Sequence, residues 1–413
     1  MKRFFGAITL AILCLSVMFS ISFTVNAKQA ESWPMFHGDL AHTGYSNSNG
    51  PTSNQTLWVY STNDVVWSSP AVVNGVVYFG SFDGNVYAVN AKDGTKIWNF
   101  TTGDKIFPSP AVANNIVYIG SDDHKVYALN AQSGTLIWSF TTGDYAQCSP
   151  SVSGGIIYVG SDDNQLYALN ASDGALVWKF TTNGDVISSP AIFNDTVYFG
   201  SYDHKVYALD ALTGTQKWSY TTGSVVESSP LVADGKVYFV SYDNKTYALN
   251  AETGASVWNF TMGSNNCVQT SPGFANGLVY TGGAFDNNVY ALDAATGAKI
   301  WSFMAGEGIF SAPAIAGNSL YVSCYDNKTY ALNAQTGDFL WSYQTGGNVY
   351  SSPAVVDGVA YFGSYDGNLY AVGQNTSNSS STIPSIIYYI IVGVAIAVLV
   401  VVVAVVILRK RHK

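Results

Sequence analysis

The chain has 413 residues, a formal net charge of −9 and 11% charged residues, against 28 tyrosines and 39 glycines. Sparse charge with an acidic balance excludes a nucleic-acid binder, which needs a basic face. A composition rich in Tyr, Gly, Ser, Thr and Asn suits an all-β extracellular protein, and Cys148, Cys267 and Cys324 are too scattered for a disulfide framework. The default reading of these cysteines is small buried side chains; a bridge between two of them stays open.

The N-terminus starts with Lys2 and Arg3, runs apolar from Phe4 to about Val25, and offers small residues at Val25-Asn26-Ala27. That order predicts a secretory signal peptide over 1–27. The apolar run is longer than usual, so an uncleaved anchor is the alternative. A lipoprotein reading of Cys14 fails because Ala11-Ile12-Leu13 is not a small-residue box. Residues 28–50 form a segment before the repeats. Its His37 and His42 are read as packing or hydrogen-bonding groups ahead of a metal pair.

Residues 51–373 repeat. A small residue followed by proline recurs at Pro70, Pro110, Pro150, Pro190, Pro230, Pro272, Pro313 and Pro353. Tyr-Ala-Leu or Tyr-Ala-Val recurs at Tyr87, Tyr127, Tyr167, Tyr207, Tyr247, Tyr290, Tyr330 and Tyr370. A tryptophan recurs at Trp58, Trp98, Trp138, Trp178, Trp218, Trp258, Trp301 and Trp341. One unit, Ser68 to Gly103, holds four runs of β-formers separated by NG, FDGN and AKDG, which are hairpin turn signals. Repeated four-strand meanders predict propeller blades. The fold class is therefore all-β, an eight-bladed β-propeller of four-stranded antiparallel blades.

The three elements are out of phase. Trp58 precedes the first proline, and the last unit ends at Tyr370-Ala371-Val372-Gly373 without a tryptophan strand. Gln55 to Ser61 is therefore expected to pair with Asn368–Val372 and close the ring. Each buried tryptophan covers about 150–250 Å², worth about 4–6 kcal/mol gross, so eight regular tryptophans read as packing between blades. Asp83, Asp123, Asp163, Asp203, Asp243, Asp286, Asp326 and Asp366 occupy one turn in every blade, which is a turn-forming role. His124 and His204 sit in that same turn and read as solvated loop residues.

After the repeats, residues 374–385 form a Ser/Thr/Asn-rich stalk. Ile386 to Leu408 is an unbroken apolar stretch followed by Arg409, Lys410, Arg411 and Lys413. It is long enough for one membrane-spanning helix, 386–408, and the basic tail, 409–413, assigns the cytoplasmic side. The bulk of the chain is thus expected outside a cell membrane. N-x-[ST] sequons begin at Asn54, Asn99, Asn170, Asn194, Asn244, Asn259, Asn327, Asn375 and Asn378, sites for N-glycosylation in such a location.

The unit VYALNAxxGxxxW at Val126–Trp138 resembles the pyrroloquinoline quinone (PQQ) repeat. Trp33-Pro34-Met35-Phe36-His37-Gly38-Asp39 with His42-Thr43-Gly44-Tyr45 is similar to the segment before the blades in such propellers. The resemblance implies eight blades with a tryptophan docking girdle. The family contains quinoprotein alcohol dehydrogenases and non-enzymatic relatives of outer-membrane protein assembly. In its enzymes, PQQ lies in the central channel between a tryptophan and a disulfide of adjacent cysteines. Calcium is held there by Glu, Asn and Asp, and an aspartate is the base. This chain has no Cys-Cys pair and short loops between strands. The expectation is the non-enzymatic branch, with no catalytic residue, no metal and no cofactor.

Positions that vary between blades are free to serve a ligand. Three residues before each repeat proline stand Trp67, Phe107, Gln147, Ile187, Glu227, Gln269, Phe310 and Tyr350, each preceded by an apolar residue from Val66 to Val349. If the proline element leads into the innermost strand, this row rings the channel mouth, with extra loop at Met262–Cys267 on the same face. The expected function is a binding or scaffold module with a monomeric ectodomain, whose partner is an extracellular protein or carbohydrate. A PQQ/Ca-dependent quinoprotein dehydrogenase and a structural envelope glycoprotein are the alternatives.

Overall fold

The computed structural model describes residues 32–263 and 270–374. The expected signal peptide, membrane span and basic tail lie outside the described residues, as do Cys267, Gln269, Asn375, Asn378 and all of the stalk after Gln374.

Four antiparallel strands make the first blade: Ala71–Val73, Val76–Gly80, Asn85–Asn90 and Lys96–Thr101. The innermost strand is short because the ring is narrow at its axis. It turns back through Asn74 and Gly75, at φ 52° and 75°, the left-handed pair that a tight hairpin turn requires. The two middle strands are buried on both faces, whereas the outer strand alternates, exposing Ile97 and Asn99 around buried Trp98. The same sheet recurs at 111–141, 151–181, 191–221, 231–261, 273–304 and 314–344.

The eighth sheet is composite. Ala354–Val356, Val359–Gly363 and Asn368–Gly373 are completed by Thr56–Ser61, with Trp58 opposite Ala371 and Ser61 opposite Asn368. The innermost strands neighbour one another all the way round, Ala71–Val73 lying beside Ala354–Val356. The ring is therefore closed by its two chain ends.

Blades dock through the tryptophans. Trp98 Nε1 donates to Ala131 O at 2.9 Å, and a Cβ at Gly134 would come within 2.7 Å of the same indole. Equivalent bonds run from Trp58 through Trp301. At the eighth interface the chain leaves at Gln374 without an Ala-x-x-Gly turn, and Trp341 Nε1 is buried without an acceptor. There Gly50 and Pro51 take the place of the turn, Pro51 O accepting the Tyr321 hydroxyl at 2.9 Å.

The periodic aspartates are structural, as expected. Asp163 accepts the Tyr167 hydroxyl at 2.5 Å, the Gln165 N–H at 3.0 Å and the Gly143 N–H of the incoming segment at 2.6 Å. Cys148 and Cys324 are unpaired buried thiols. Cys148 stands where Ser68, Ser188 and Ser228 stand in other blades, and Cys324 where Ser81, Ser121 and Ser364 do; burial pushes each thiol up to about 12.

Candidate functional site

Residues 33–50 cross one end of the ring as a strap. Trp33 exchanges two backbone bonds with Val72, at 2.7 and 2.8 Å. The carbonyls of Pro34, Leu40, Ala41, Thr43 and Gly44 then accept the N–H groups of Val112, Ile192, Val232, Phe274 and Ile315, each in an innermost strand. Tyr45–Ser46 pairs parallel to Ala314–Ala316, and Asn49 O accepts Gly358 N–H at 2.9 Å. Backbone groups at the narrow end of the ring, which buried strand ends must pair somewhere, are thus satisfied by a segment outside the repeat.

Both strap histidines are buried and hydrogen-bonded, as expected. His37 Nδ1 donates to His42 O at 2.9 Å; His42 Nδ1 donates to Pro230 O at 3.2 Å, leaving Nε2 to accept from Ser151 Oγ at 3.3 Å. Desolvation pulls His37 down to about 4 and His42, with its neighbour's charge adding, to about 3. Phe36 stacks on His37 with ring centres 4.7 Å apart and forms the floor of the channel.

Above that floor lies a cavity of about 340 Å³. The structure brings Trp67, Phe107, Gln147, Ile187, Glu227, Phe310 and Tyr350 together in its wall; Gln269 is outside the described residues. Below this row is a hydrogen-bonded girdle. The N–H of Ser69 donates to Ser109 Oγ at 3.1 Å, Ser109 to Ser149 at 2.9 Å, and so on by way of Ser189 and Ser229 to Ser271. Ala312 and Ser352 carry it back to Ser69. It breaks once, because Ala312 has no hydroxyl for Ser271.

A second row, missed in the sequence, stands behind the first: Phe82, Asp122, Asp162, Tyr202, Tyr242, Phe285, Tyr325 and Tyr365. These residues directly precede the turn aspartates, and the change from aromatic to Asp at 122 and 162 is the signal that marks them. Together the rows split the mouth into two sectors. One is aromatic and continuous: Trp67 stacks on Tyr350 at 4.1 Å and meets Phe107 at 5.4 Å, Phe82 meets Phe107 at 4.2 Å, and Phe310 meets Tyr350 at 4.7 Å.

The other sector is acidic. Glu227 Oε2 accepts the hydroxyls of Tyr202, at 2.7 Å, and Tyr242. Gln147 Nε2 donates to Asp122 Oδ1 at 3.0 Å, and burial pushes Asp122 up. Burial, with the charges of Asp185, Asp144, Asp122 and Asp163, raises Asp162 to about 7; its Oδ1 is buried without a partner.

Of the described sequons, Asn54, Asn99, Asn194 and Asn259 are exposed, while Asn170, Asn244 and Asn327 are half-buried. His124 and His204 lie in the turn before the third strand of their blades, at φ 66° and 69°.

Eight four-stranded blades, docked at seven interfaces by a tryptophan on the next blade's Ala-x-x-Gly turn and sealed by a strap, define a tryptophan-docked β-propeller. The chain belongs to the PQQ-like repeat family whose model is described as outer membrane protein assembly factor BamB; matches cover residues 48–153, 143–225, 191–271 and 247–380. Among solved structures it is similar to BamB from Moraxella catarrhalis, with 21% identity over 78% of this chain and 100% of that one, TM-score 0.68. It is also similar to a quinohemoprotein alcohol dehydrogenase from Comamonas testosteroni, with 17% identity over 85% and 82%, TM-score 0.72. A europium-containing methanol dehydrogenase matches at 15% identity over 84% and 99%, TM-score 0.74. No curated protein matches the chain.

Enzymes of this family hold a quinone and calcium in the central channel, and the described wall offers such a pair one carboxylate. Among the described residues no group of three or more His, Cys, Asp or Glu side chains converges for an ion. Among the described residues that line the cavity, Glu227 is the single charged one, and no Lys or Arg is among them to meet a quinone tricarboxylate.

Proposed function

We propose that the chain is an envelope-displayed binding propeller that holds an extracellular partner at the mouth opposite the strap, without catalysis. The observation that carries this reading is the convergence of the variable row on one cavity. The repeated residues are spent on docking and turns. The irregular ones gather where a partner meets concave aromatic and polar surface, as binding sites do. Membership in a family with an assembly-factor branch agrees with protein binding.

The same reading gives the mouth a direction. Gln374 N–H bonds Gly358 O at 3.4 Å, beside Asn49 of the strap. A membrane span at 386–408 would therefore be tethered from the strap face, and the mouth would point away from the bilayer. Peptide and glycan arrays read with the full chain in detergent micelles test the site. Binding weakened by Trp67→Ala or Glu227→Ala supports it; binding indifferent to both sinks it.

A further inference from the structure

We propose that the mouth cavity takes a basic side chain, arginine or lysine, presented by an extracellular protein partner. Its stem would lie on the wall of Trp67, Phe107 and Phe310, and its charged head would lie against Glu227. The inference rests on the mouth being the binding site and specifies what enters it.

The charge in the described cavity wall is negative. Glu227 is the only charged residue among the described lining residues. The groups that act on nearby Asp162 through space, Asp185, Asp144, Asp122 and Asp163, are all negative; the one lysine at this mouth, Lys105, lies over Phe82 at its aromatic side and acts on Asp122. A cleft lined by one sign of charge between low-dielectric walls focuses its field and concentrates the opposite charge. Anions are repelled, and a neutral sugar would leave this field unused.

The wall discriminates among cations. Lysine and arginine carry an apolar stem behind a charged head, and the cavity offers an aromatic sector on one side and the Glu227 carboxylate on the other. Aromatic faces also attract the head itself, more strongly once water is excluded. The mouth already contains one such contact: Lys105 Nζ lies 5.3 Å from the centre of the Phe82 ring. A small inorganic cation would use neither stem nor faces, and no three-ligand cluster is present among the described residues to hold one.

Size and rigidity agree. A volume of about 340 Å³ is at the lower end of ligand pockets, about 300–1,000 Å³, and suits one side chain better than a large cofactor. Glu227 is fixed by two tyrosine hydroxyls and the floor by Phe36 on the strap. Little ordering remains to be done on binding.

The test uses the full chain in detergent micelles and three compounds: an N-acetylated Gly-Arg-Gly amide, its citrulline counterpart, which keeps the shape and loses the charge, and free arginine amide. Calorimetry is expected to give tenfold or more tighter binding for the arginine peptide than for the citrulline peptide. Glu227→Gln should remove most of that difference with little change in Tm, and raised salt should weaken it. Free arginine amide should bind less tightly than the peptide; equal or tighter binding would assign the cavity to a small amine and overturn the protein partner. Equal affinity for arginine and citrulline peptides, or no binding of either, overturns the basic side chain outright. If an array ligand still depends on Trp67 in that case, the mouth reading survives without the cation; if none does, both fall.

Discussion

Trp98 gives its indole N–H to the carbonyl of Ala131, 33 residues further on and one blade over, while Gly134 lies flat against the same ring. The glycine is needed twice, for its φ of 69° and for the absent Cβ. Gly75, at φ 75°, has open space where a Cβ would go. Gly75→Ala should therefore cost only left-handed strain, about 1–2 kcal/mol. Gly134→Ala adds a collision with the indole and should cost clearly more in urea unfolding. Equal costs would mean that the docking is loose.

The girdle has a repairable gap. Ala312→Ser places a hydroxyl where Ser271 N–H lacks one, and should stabilise by about 0.5–1.5 kcal/mol, the net worth of a typical hydrogen bond. Ser149→Ala removes the acceptor of Ser109 N–H and should destabilise by about 1–3 kcal/mol, since it leaves a buried donor unmet. Denaturant midpoints of the two variants should move in opposite directions.

Acid should loosen the strap. His37 and His42 are held neutral, their folded values of about 4 and 3 lying below the ordinary 6.5. Between these limits the unfolded chain binds more protons than the folded one, so stability falls as pH falls. Their contribution is complete above about pH 6.5 and drains away toward pH 4 and 3. Asparagine tolerates the left-handed backbone that both residues adopt, at φ 58°. The double variant His37→Asn/His42→Asn should melt lower at pH 7 and show a flatter decline of Tm through this window.

Asp162 works in the opposite sense. Its folded value, about 7, lies above the ordinary 3.8, so its environment costs nothing in strong acid, destabilises increasingly as pH rises from 3.8 to about 7, and holds that full cost above it. Asp162→Asn should match the parent near pH 4 and melt higher at pH 8. A constant difference in Tm across that range would refute the assignment.

Removing residues 51–61 takes away the fourth strand of the last blade and the Pro51 acceptor of Tyr321 together. The variant should lose several °C of Tm or fail to fold. A melt like the parent's would mean that the ring is held shut elsewhere.

Whatever repeats was legible in the sequence. Proline, tyrosine and tryptophan each counted eight blades, and the phase of Trp58 against Tyr370 located the closing strand to within a residue. The variable row from Trp67 to Tyr350 was found because its neighbours do not vary. The strap was not legible as a seal, since 33–50 occurs once and works through carbonyls, which no side chain advertises. Two sectors at the mouth could not be seen either. They depend on which blades are neighbours in space, and on Asp122 and Asp162 standing where other blades carry an aromatic ring. The girdle was visible only as small residues before proline, because its bonds run between blades and not along the chain.

The strap also sets an order of events. Its partners are spread over the whole ring, and Ser48 Oγ accepts the Asp357 N–H across 309 residues of chain. Contacts so distant in sequence form late. In a chain made from its N-terminus, the strap is synthesised before the blades; Trp33 can meet Val72 once the first blade exists, but Ser48 and Asn49 must wait for the last. Closure then comes in a single final step, so a truncated chain would expose a row of empty strand ends and offer quality control a clear mark of incompleteness.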